Sequence, residues 1–387
     1  MAESKVFVRD LADNAPVETV FLAADKSVRE TRNGDPYLCV TLQDRTGTIE
    51  ARGWDDAEVL EKRFDVDDFV AVRGRVSSYR GELQISISDL EPIGDDEVEL
   101  RDYLPHSRWD AETLFASLKQ LVDRHVESRE IRRFLAALFD DDTRRKQYQR
   151  APAAVSNHHN YLAGLLEHTL SMARLAVTMG RHYDAYYPGM VDTDLLVAGC
   201  IIHDIGKIDE LEYRRSFDYS TEGRLVGHIA GGSALVERVA TDLDPPLDEH
   251  LTTQLQHLVL SHHGKKEYGA PVTPRSPEAL LLHHLDMIDS RVNSCWDACQ
   301  PLIEDGDDAE GWSDYQRMFN GSLYVSGEAA EGWRGDDDRP AETDGPGFPP
   351  LTATTPGDDE AGPQDAAEDG GAETPATEEQ NLKLFGE

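Results

Sequence analysis

Cysteine is scarce in this chain, and long apolar runs are missing from it. Only 4 of the 387 residues are cysteine, and none belongs to a CxxC pair, which argues against both a zinc ribbon and a disulfide framework. No window approaches the roughly 18 apolar residues of a membrane-spanning helix. The N-terminal stretch "MAESKVFVRD" lacks the apolar core of a signal peptide. These absences predict a cytoplasmic protein that has no membrane partner.

Basic residues are also few. The chain has 38 Lys and Arg against 75 Asp and Glu, which gives a net charge of -37. The acids are spread along the whole sequence, so an acidic tail alone does not explain the imbalance. This composition resembles that of proteins from salt-in halophilic archaea, and it implies a protein that stays solvated in concentrated potassium chloride. Such an argument concerns the milieu and not the fold.

Strand-like alternation dominates the first 95 or so residues. It is found in "APVETVFLAADKSVRET", in "PYLCVTLQDRTGTIEARGW" around the turn DRTG, and in "DFVAVRGRVSSYRGELQISISDLEPI" around the turn SYRGE. Five short strands in a segment of this length predict a small all-β barrel, for which the OB-fold is the best-known architecture. OB-folds bind single strands by stacking bases on aromatic rings beside basic side chains. The candidate contacts are Tyr37, Arg52, Trp54, Arg73, Tyr79 and Arg80, although each aromatic alone could equally pack in or around the barrel.

The pattern changes to helical spacing from Trp109 to about Tyr324, with Gly and Pro breaks at "YYPGMVDTD", "DLDPPLDEH" and "GAPVTPRSP". We therefore predict a multidomain chain with an OB-fold over 1–98, a helical connector over 99–150 and an all-α domain over 151–325. Residues 326–387 are rich in Asp, Glu, Gly, Pro, Ala and Thr, which predicts a disordered acidic tail. Its apolar "LKLF" tip, near Leu382 and Phe385, could dock on a protein partner, although a frayed end with no role is the favoured interpretation.

The run "LLVAGCIIHDIGKIDEL" places His203, Asp204 and Lys207 at the end of an apolar helix. Burying such groups costs several kcal/mol unless something compensates them, and a metal ion is the usual compensation for His with Asp. Other His and Asp residues recur in similar contexts along the helical region. The candidate ligands are His168, His203, Asp204, His228, His262, His263 and Asp286. Seven ligands exceed one tetrahedral site and match two neighbouring divalent ions, of which manganese, iron, cobalt and zinc suit imidazole with carboxylate.

Several other residues stay outside this set. His158 and His159 precede the first ligand helix and could line a substrate groove. Asp289 could be a helix-surface acid, and His283 and His284 are interpreted as satisfied or surface histidines.

The order H…HD…H…HH…D resembles the HD superfamily of metal-dependent phosphohydrolases. The phrases "SNHHNYLAGLLEHTLSMARLA", "STEGRLVGHI", "LSHHGKKEYGAP" and "LHHLDMIDSRVN" resemble the YhaM-type 3'-5' exoribonucleases, which also carry an OB-fold before the HD domain. The resemblance implies a first metal, most readily Mn2+, at His168, His203, Asp204 and Asp286. It implies that Asp204 bridges to a second metal at His228, His262 and His263.

The resemblance also implies that Asp204 and Lys207 are catalytic, with Lys207 neutralising charge on the phosphate. The alternative for Lys207 is a solvated lysine at a helix end. The function so implied is 3'-5' degradation of single-stranded RNA, or of DNA, to nucleoside monophosphates. Two alternatives are an HD-type phosphohydrolase of small nucleotides (dNTPs or cyclic nucleotides) and a non-catalytic protein that binds single-stranded nucleic acid.

Overall fold

The computed structural model describes residues 5–31, 33–79, 81–213, 216–304 and 311–326. Alternating apolar residues give the N-terminal region its strands, because every second side chain points into the barrel. The strands are β1 Pro16–Glu30, β2 Pro36–Asp44, β3 Gly47–Gly53, β4 Phe69–Tyr79 and β5 Glu82–Ile93, with the short helix α1 Ala57–Glu61 between β3 and β4.

These strands form a closed barrel in the order β1-β2-β3-β5-β4. β3 and β5 run parallel, and the other neighbours are antiparallel. The predicted DRTG turn joins β2 to β3, and the Asp44 carboxylate holds it by accepting hydrogen bonds from Thr46 N at 2.8 Å and from Val8 N at 2.8 Å. The inward side chains, including Phe21, Leu42 and Ile85, are fully buried. The OB-fold prediction is confirmed.

A small apolar cluster joins the barrel to the helical region. Leu22 and Phe69 of the barrel pack with Tyr103, Leu104 and Leu162, and the rings of Phe69 and Tyr103 lie 4.8 Å apart. The segment between the two regions therefore packs against both of them.

The helical region follows the predicted breaks. Its helices are α2 Ala111–His125, α3 Arg129–Asp140, α4 Asp142–Arg150, α5 Gly164–Tyr186, α6 Thr193–Ile202, α7 Lys207–Glu210, α8 Thr221–Leu225, α9 His228–Asp242, α10 Glu249–Ser261 and α11 Pro277–Glu304. Acid or hydroxyl side chains cap several of these helices, as Asp110 does for α2 and Asp192 for α6. Two short strand pairs, β6 Leu211–Glu212 with β7 Asp218–Tyr219 and β8 Gly311–Trp312 with β9 Tyr324–Val325, accompany the helices. The prediction of a helical domain after the barrel is confirmed.

The helices share one apolar core. α5, α6 and α10 contribute fully buried side chains such as Leu165, Leu196 and Leu255. In the described part of the chain, no helix combines the length and the hydropathy needed to cross a membrane. The predicted acidic tail and its "LKLF" tip lie outside the described residues, and the domain limits at 98, 150 and 325 stay predictions.

Candidate metal centre

The seven predicted ligand residues lie in, or directly after, five helices of the helical region. His168 lies in the second turn of α5, His203 ends α6 and is followed by Asp204, and His228 begins α9. The remaining residues are His262 at the end of α10, His263 after it, and Asp286 within α11.

Gly206 allows two of these helix ends to approach each other. A Cβ atom at this position would lie 2.1 Å from the His228 carbonyl oxygen, a distance that no side chain tolerates. The glycine therefore lets residues 203–206 pack against the first turn of α9, so that the His228 side chain can face Asp204.

Asp204 occupies the middle of the cluster, and its two oxygens face different groups. Its Oδ2 lies 3.2 Å from His203 Nε2 and 2.7 Å from Lys207 Nζ. Its Oδ1 lies 3.5 Å from Nε2 of both His228 and His262. A single carboxylate thus contacts two sets of imidazoles, which is the arrangement that a bridging ligand needs.

The ligand atoms fall into two neighbouring groups. Atoms of His168, His203 and Asp204 lie within 4.8 Å of one another, and so do atoms of His228, His262 and His263. Asp286 joins the first group, because its Oδ1 lies 3.4 Å from His168 Nε2.

Buried atoms without hydrogen-bond partners show that a cation fits here. Within the described residues, five buried atoms of the centre have no such partner: Asp204 Oδ1 and the Nε2 atoms of His168, His203, His228 and His262. A buried polar atom left unpaired costs about 1–3 kcal/mol, and these atoms face one another. A cluster of lone pairs of this kind is stabilised by positive charge.

The opposite nitrogen of each imidazole explains why the lone pairs face inward. Nδ1 of His203 contacts the Cys200 carbonyl oxygen at 2.9 Å, and Nδ1 of His262 contacts the Val259 carbonyl oxygen at 2.7 Å. A carbonyl only accepts, so Nδ1 must carry the proton, and Nε2 keeps its lone pair.

Carboxylates hold two of the other rings in the same way. Nδ1 of His168 lies 2.7 Å from Asp289 Oδ2, and Nδ1 of His228 lies 2.9 Å from Glu210 Oε1. Hydrogen bonds of this kind fix the orientation of a metal-binding histidine and raise its basicity.

The electrostatics of the centre favour bound positive charge. Burial alone would raise the pKa of Asp204, but Lys207 and His203 lower it well below its usual value. Burial would lower the pKa of His168, but Asp286 and Asp289 raise it to about 10. A proton or a metal ion is therefore strongly attracted to His168 Nε2.

Lys207 begins α7, and its side chain is only 11% exposed. Burial opposes its charge, yet the neighbouring Asp204 raises its pKa. The alternative of a solvated lysine at a helix end is wrong, because the Lys207 side chain is largely buried and contacts the central carboxylate.

Two carboxylates that support the centre, Asp289 and Glu210, are absent from the predicted site residues. The interpretation of Asp289 as a helix-surface acid is wrong, because Asp289 is buried and accepts hydrogen bonds from His168 Nδ1 at 2.7 Å and from His159 Nε2 at 3.0 Å. Glu210 is the second, and its Oε1 lies 2.9 Å from His228 Nδ1. Asp289 lies three residues after Asp286, on the same face of α11, and this spacing was the available signal.

The barrel brings together four of the predicted nucleic-acid contacts. The rings of Tyr37 and Trp54 stack at 4.9 Å, and the Arg52 guanidinium lies 5.9 Å from the Tyr37 ring and 5.4 Å from the Tyr79 ring. Trp54 and Tyr79 are 46% and 50% exposed, so solvent reaches part of each ring. We call Tyr37, Arg52, Trp54 and Tyr79 the aromatic patch.

Two of the predicted arginines are paired with carboxylates. Arg52 contacts the Glu50 carboxylate at 2.5 Å, and Arg73 contacts Glu18 at 2.7 Å, apart from the aromatic patch. Arg80 lies outside the described residues. Among the described candidate residues, both arginines therefore have a carboxylate partner, and Trp54 and Tyr79 are exposed aromatic rings.

Comparison with known proteins agrees with both halves of the structure. Residues 26–93 match the family described as OB-fold nucleic acid binding domain, and residues 165–291 match the HD domain family. The chain is 35% identical over 264 residues to the 3'-5' exoribonuclease YhaM of Bacillus licheniformis, across 67% of this chain and 80% of that protein.

Solved structures match about a quarter of this chain. The second OB-fold domain of replication protein A from Methanococcus maripaludis is 20% identical, with a TM-score of 0.20, over 23% of this chain and 94% of that one. A replication protein A heterotrimer bound to single-stranded DNA is 21% identical, with a TM-score of 0.19, over 25% of this chain and 71% of that one. Because the match to YhaM is 35% identical and covers most of both proteins, this chain belongs to the YhaM-type 3'-5' exoribonucleases.

Proposed function

We propose that this protein degrades single-stranded RNA from the 3' end and releases nucleoside monophosphates, with two divalent metal ions at the HD centre. The observation that carries the proposal is the set of buried, unpaired Nε2 and Oδ1 atoms that face one another around Asp204. The family supplies the reaction, and the similarity to a 3'-5' exoribonuclease supports the direction.

The ligand roles follow from the two groups of atoms. His168, His203, Asp204 and Asp286 would hold the first ion, and His228, His262 and His263, with Asp204 shared, would hold the second. Nitrogen with carboxylate oxygen suits Mn2+, Fe2+, Co2+ and Zn2+, and Mn2+ is our first choice. Paired ions of this type supply Lewis-acid polarisation of a phosphoryl group and lower the pKa of a coordinated water.

The protein's own side chains would do the remaining work. Lys207, held 2.7 Å from Asp204, supplies a fixed positive charge beside the scissile phosphate, where negative charge grows during the reaction. The aromatic patch would bind upstream bases by stacking, which needs no sequence preference. An acidic protein in concentrated salt gains little from counterion release, so stacking and metal–phosphate contacts would dominate its affinity.

We further propose a potassium-rich cytoplasm as the working milieu, because the net charge of -37 suits a protein that must stay solvated there. The assays below therefore use molar potassium chloride.

The deciding experiment follows 5'-labelled single-stranded RNA and DNA of equal length, with added Mn2+ and with an Asp204→Asn variant beside the parent protein. We expect stepwise shortening of RNA from the 3' end, mononucleotide products, and loss of both in the variant. Preferential hydrolysis of dNTPs or cyclic nucleotides would favour the small-nucleotide alternative. Strand binding without any hydrolysis would favour the non-catalytic alternative.

A further inference from the structure

The loop before α5 has an unusual backbone where it passes the metal centre. His159 has φ 48° and Ala163 has φ 64°, both in the left-handed region that costs a non-glycine residue about 1–3 kcal/mol. Gly164 lets the loop fold closely onto the helix, because a Cβ there would lie 2.1 Å from the His159 carbonyl oxygen. Strain of this kind persists only where surrounding contacts hold it in place.

Those contacts come from α11 and from the loop itself. The His159 backbone N–H donates to Asn293 Oδ1 at 2.7 Å, and its ring is held between Asp289 Oδ2 at 3.0 Å and the Tyr161 hydroxyl at 2.7 Å. Asp289 Oδ2 also accepts from His168 Nδ1. The same carboxylate therefore fixes both a predicted metal ligand and the residue that follows His158.

The result of this anchoring is the position of His158. Its ring centroid lies 5.6 Å from that of His168, and one of its nitrogens lies within 4.8 Å of ligand atoms of both His168 and Asp286. Two ligands of one ion, each at about 2.1 Å, lie up to about 4.2 Å apart, so this group is close to the size of one coordination sphere. Within the described residues, His158 has ring contacts with His159 and His168 and no hydrogen bond.

We propose that His158 is an additional ligand of the first metal, on the side of His168 and Asp286. The anchored loop presents the His158 imidazole, which has no hydrogen bond among the described residues, to the ligand atoms of His168 and Asp286. His158 lies before residues 165–291, which match the HD domain, so the ligand comes from outside the matched segment. The inference rests on the metal centre of the proposed function.

The test measures metal binding without nucleic acid. Full-length His158→Ala and His158→Gln proteins are titrated with Co2+, and occupancy is followed by visible absorption and by competition with a chelator. His284→Ala is the matched control, because His284 is an exposed histidine of α11. We expect both His158 variants to lose at least about tenfold in affinity for one of two Co2+ ions and to show an altered Co2+ spectrum, while the control matches the parent protein.

The outcomes are distinct. Parent-like Co2+ affinity and spectrum in a folded His158 variant would overturn the proposal, and slower RNA cleavage in that variant would then assign His158 to the substrate. If the alanine variant loses its circular dichroism signal, the glutamine variant, which keeps a side chain of similar length, gives the decision. Failure of the parent protein to bind Co2+ would instead refute the proposed function.

Discussion

Asp289 provides the sharpest test of how the metal centre is built. Its Oδ2 accepts hydrogen bonds from His168 Nδ1 at 2.7 Å and from His159 Nε2 at 3.0 Å, and its Oδ1 accepts one from the Ser171 hydroxyl. The carboxylate therefore holds the His168 proton on Nδ1 and leaves the Nε2 lone pair for the metal. Replacing Asp289 by alanine removes this constraint.

The expected magnitude follows from the role. Loss of a hydrogen-bond partner behind a metal-binding histidine typically costs 10- to 100-fold in metal affinity, or about 1.4–2.7 kcal/mol. Removing one member of a buried charged network also destabilises the fold, by about 3–5 kcal/mol. We therefore expect Asp289→Ala to bind Mn2+ 10- to 100-fold more weakly and to have a lower melting temperature with metal removed.

Asp289→Asn separates charge from shape. The amide oxygen can still accept from His168 if the amide nitrogen faces the Ser171 hydroxyl, so we expect a smaller loss of Mn2+ affinity than in Asp289→Ala. The assay is competition between the protein and a chelator of known affinity, with Asp123→Asn, an exposed acid of α2, as the control. Parent-like affinity in a folded Asp289→Ala protein would refute the reasoning, because it would mean that His168 needs no partner at Nδ1.

Three further predictions concern other parts of the molecule. Glu210→Gln weakens the contact that orients His228, so one of the two Mn2+ ions should bind at least about 10-fold more weakly. Chelator competition measures this affinity, and unchanged binding of both ions would contradict the prediction. Trp54→Ala removes the exposed ring stacked on Tyr37 and should raise the KM for RNA about 5- to 150-fold, with kcat little changed. An unchanged KM would show that the aromatic patch does not bind substrate. Burial lowers the pKa of His168, but Asp286 and Asp289 raise it to about 10, so a proton competes with the metal below that pH. The apparent Mn2+ affinity should therefore rise by up to about tenfold per pH unit between pH 7 and 10. A flat profile over this range would show that His168 carries no competing proton.

The sequence by itself determined the barrel, the helices and the seven candidate ligands. Alternation of apolar residues specifies strands and helical spacing specifies helices, because both patterns depend on local geometry. His203, Asp204 and Lys207 stood out because an apolar run rarely contains such groups.

The tertiary structure decided which polar residues support those ligands. Asp289 and Glu210 look like ordinary helix acids in the sequence, since nothing local distinguishes a buried carboxylate from a solvated one. Their roles depend on contacts with His168 and His228, and only packing of separate helices creates these contacts. The placement of His158 depends in the same way on contacts between its loop and α11, far away in the chain, because burial and hydrogen-bond partners are properties of the folded chain as a whole.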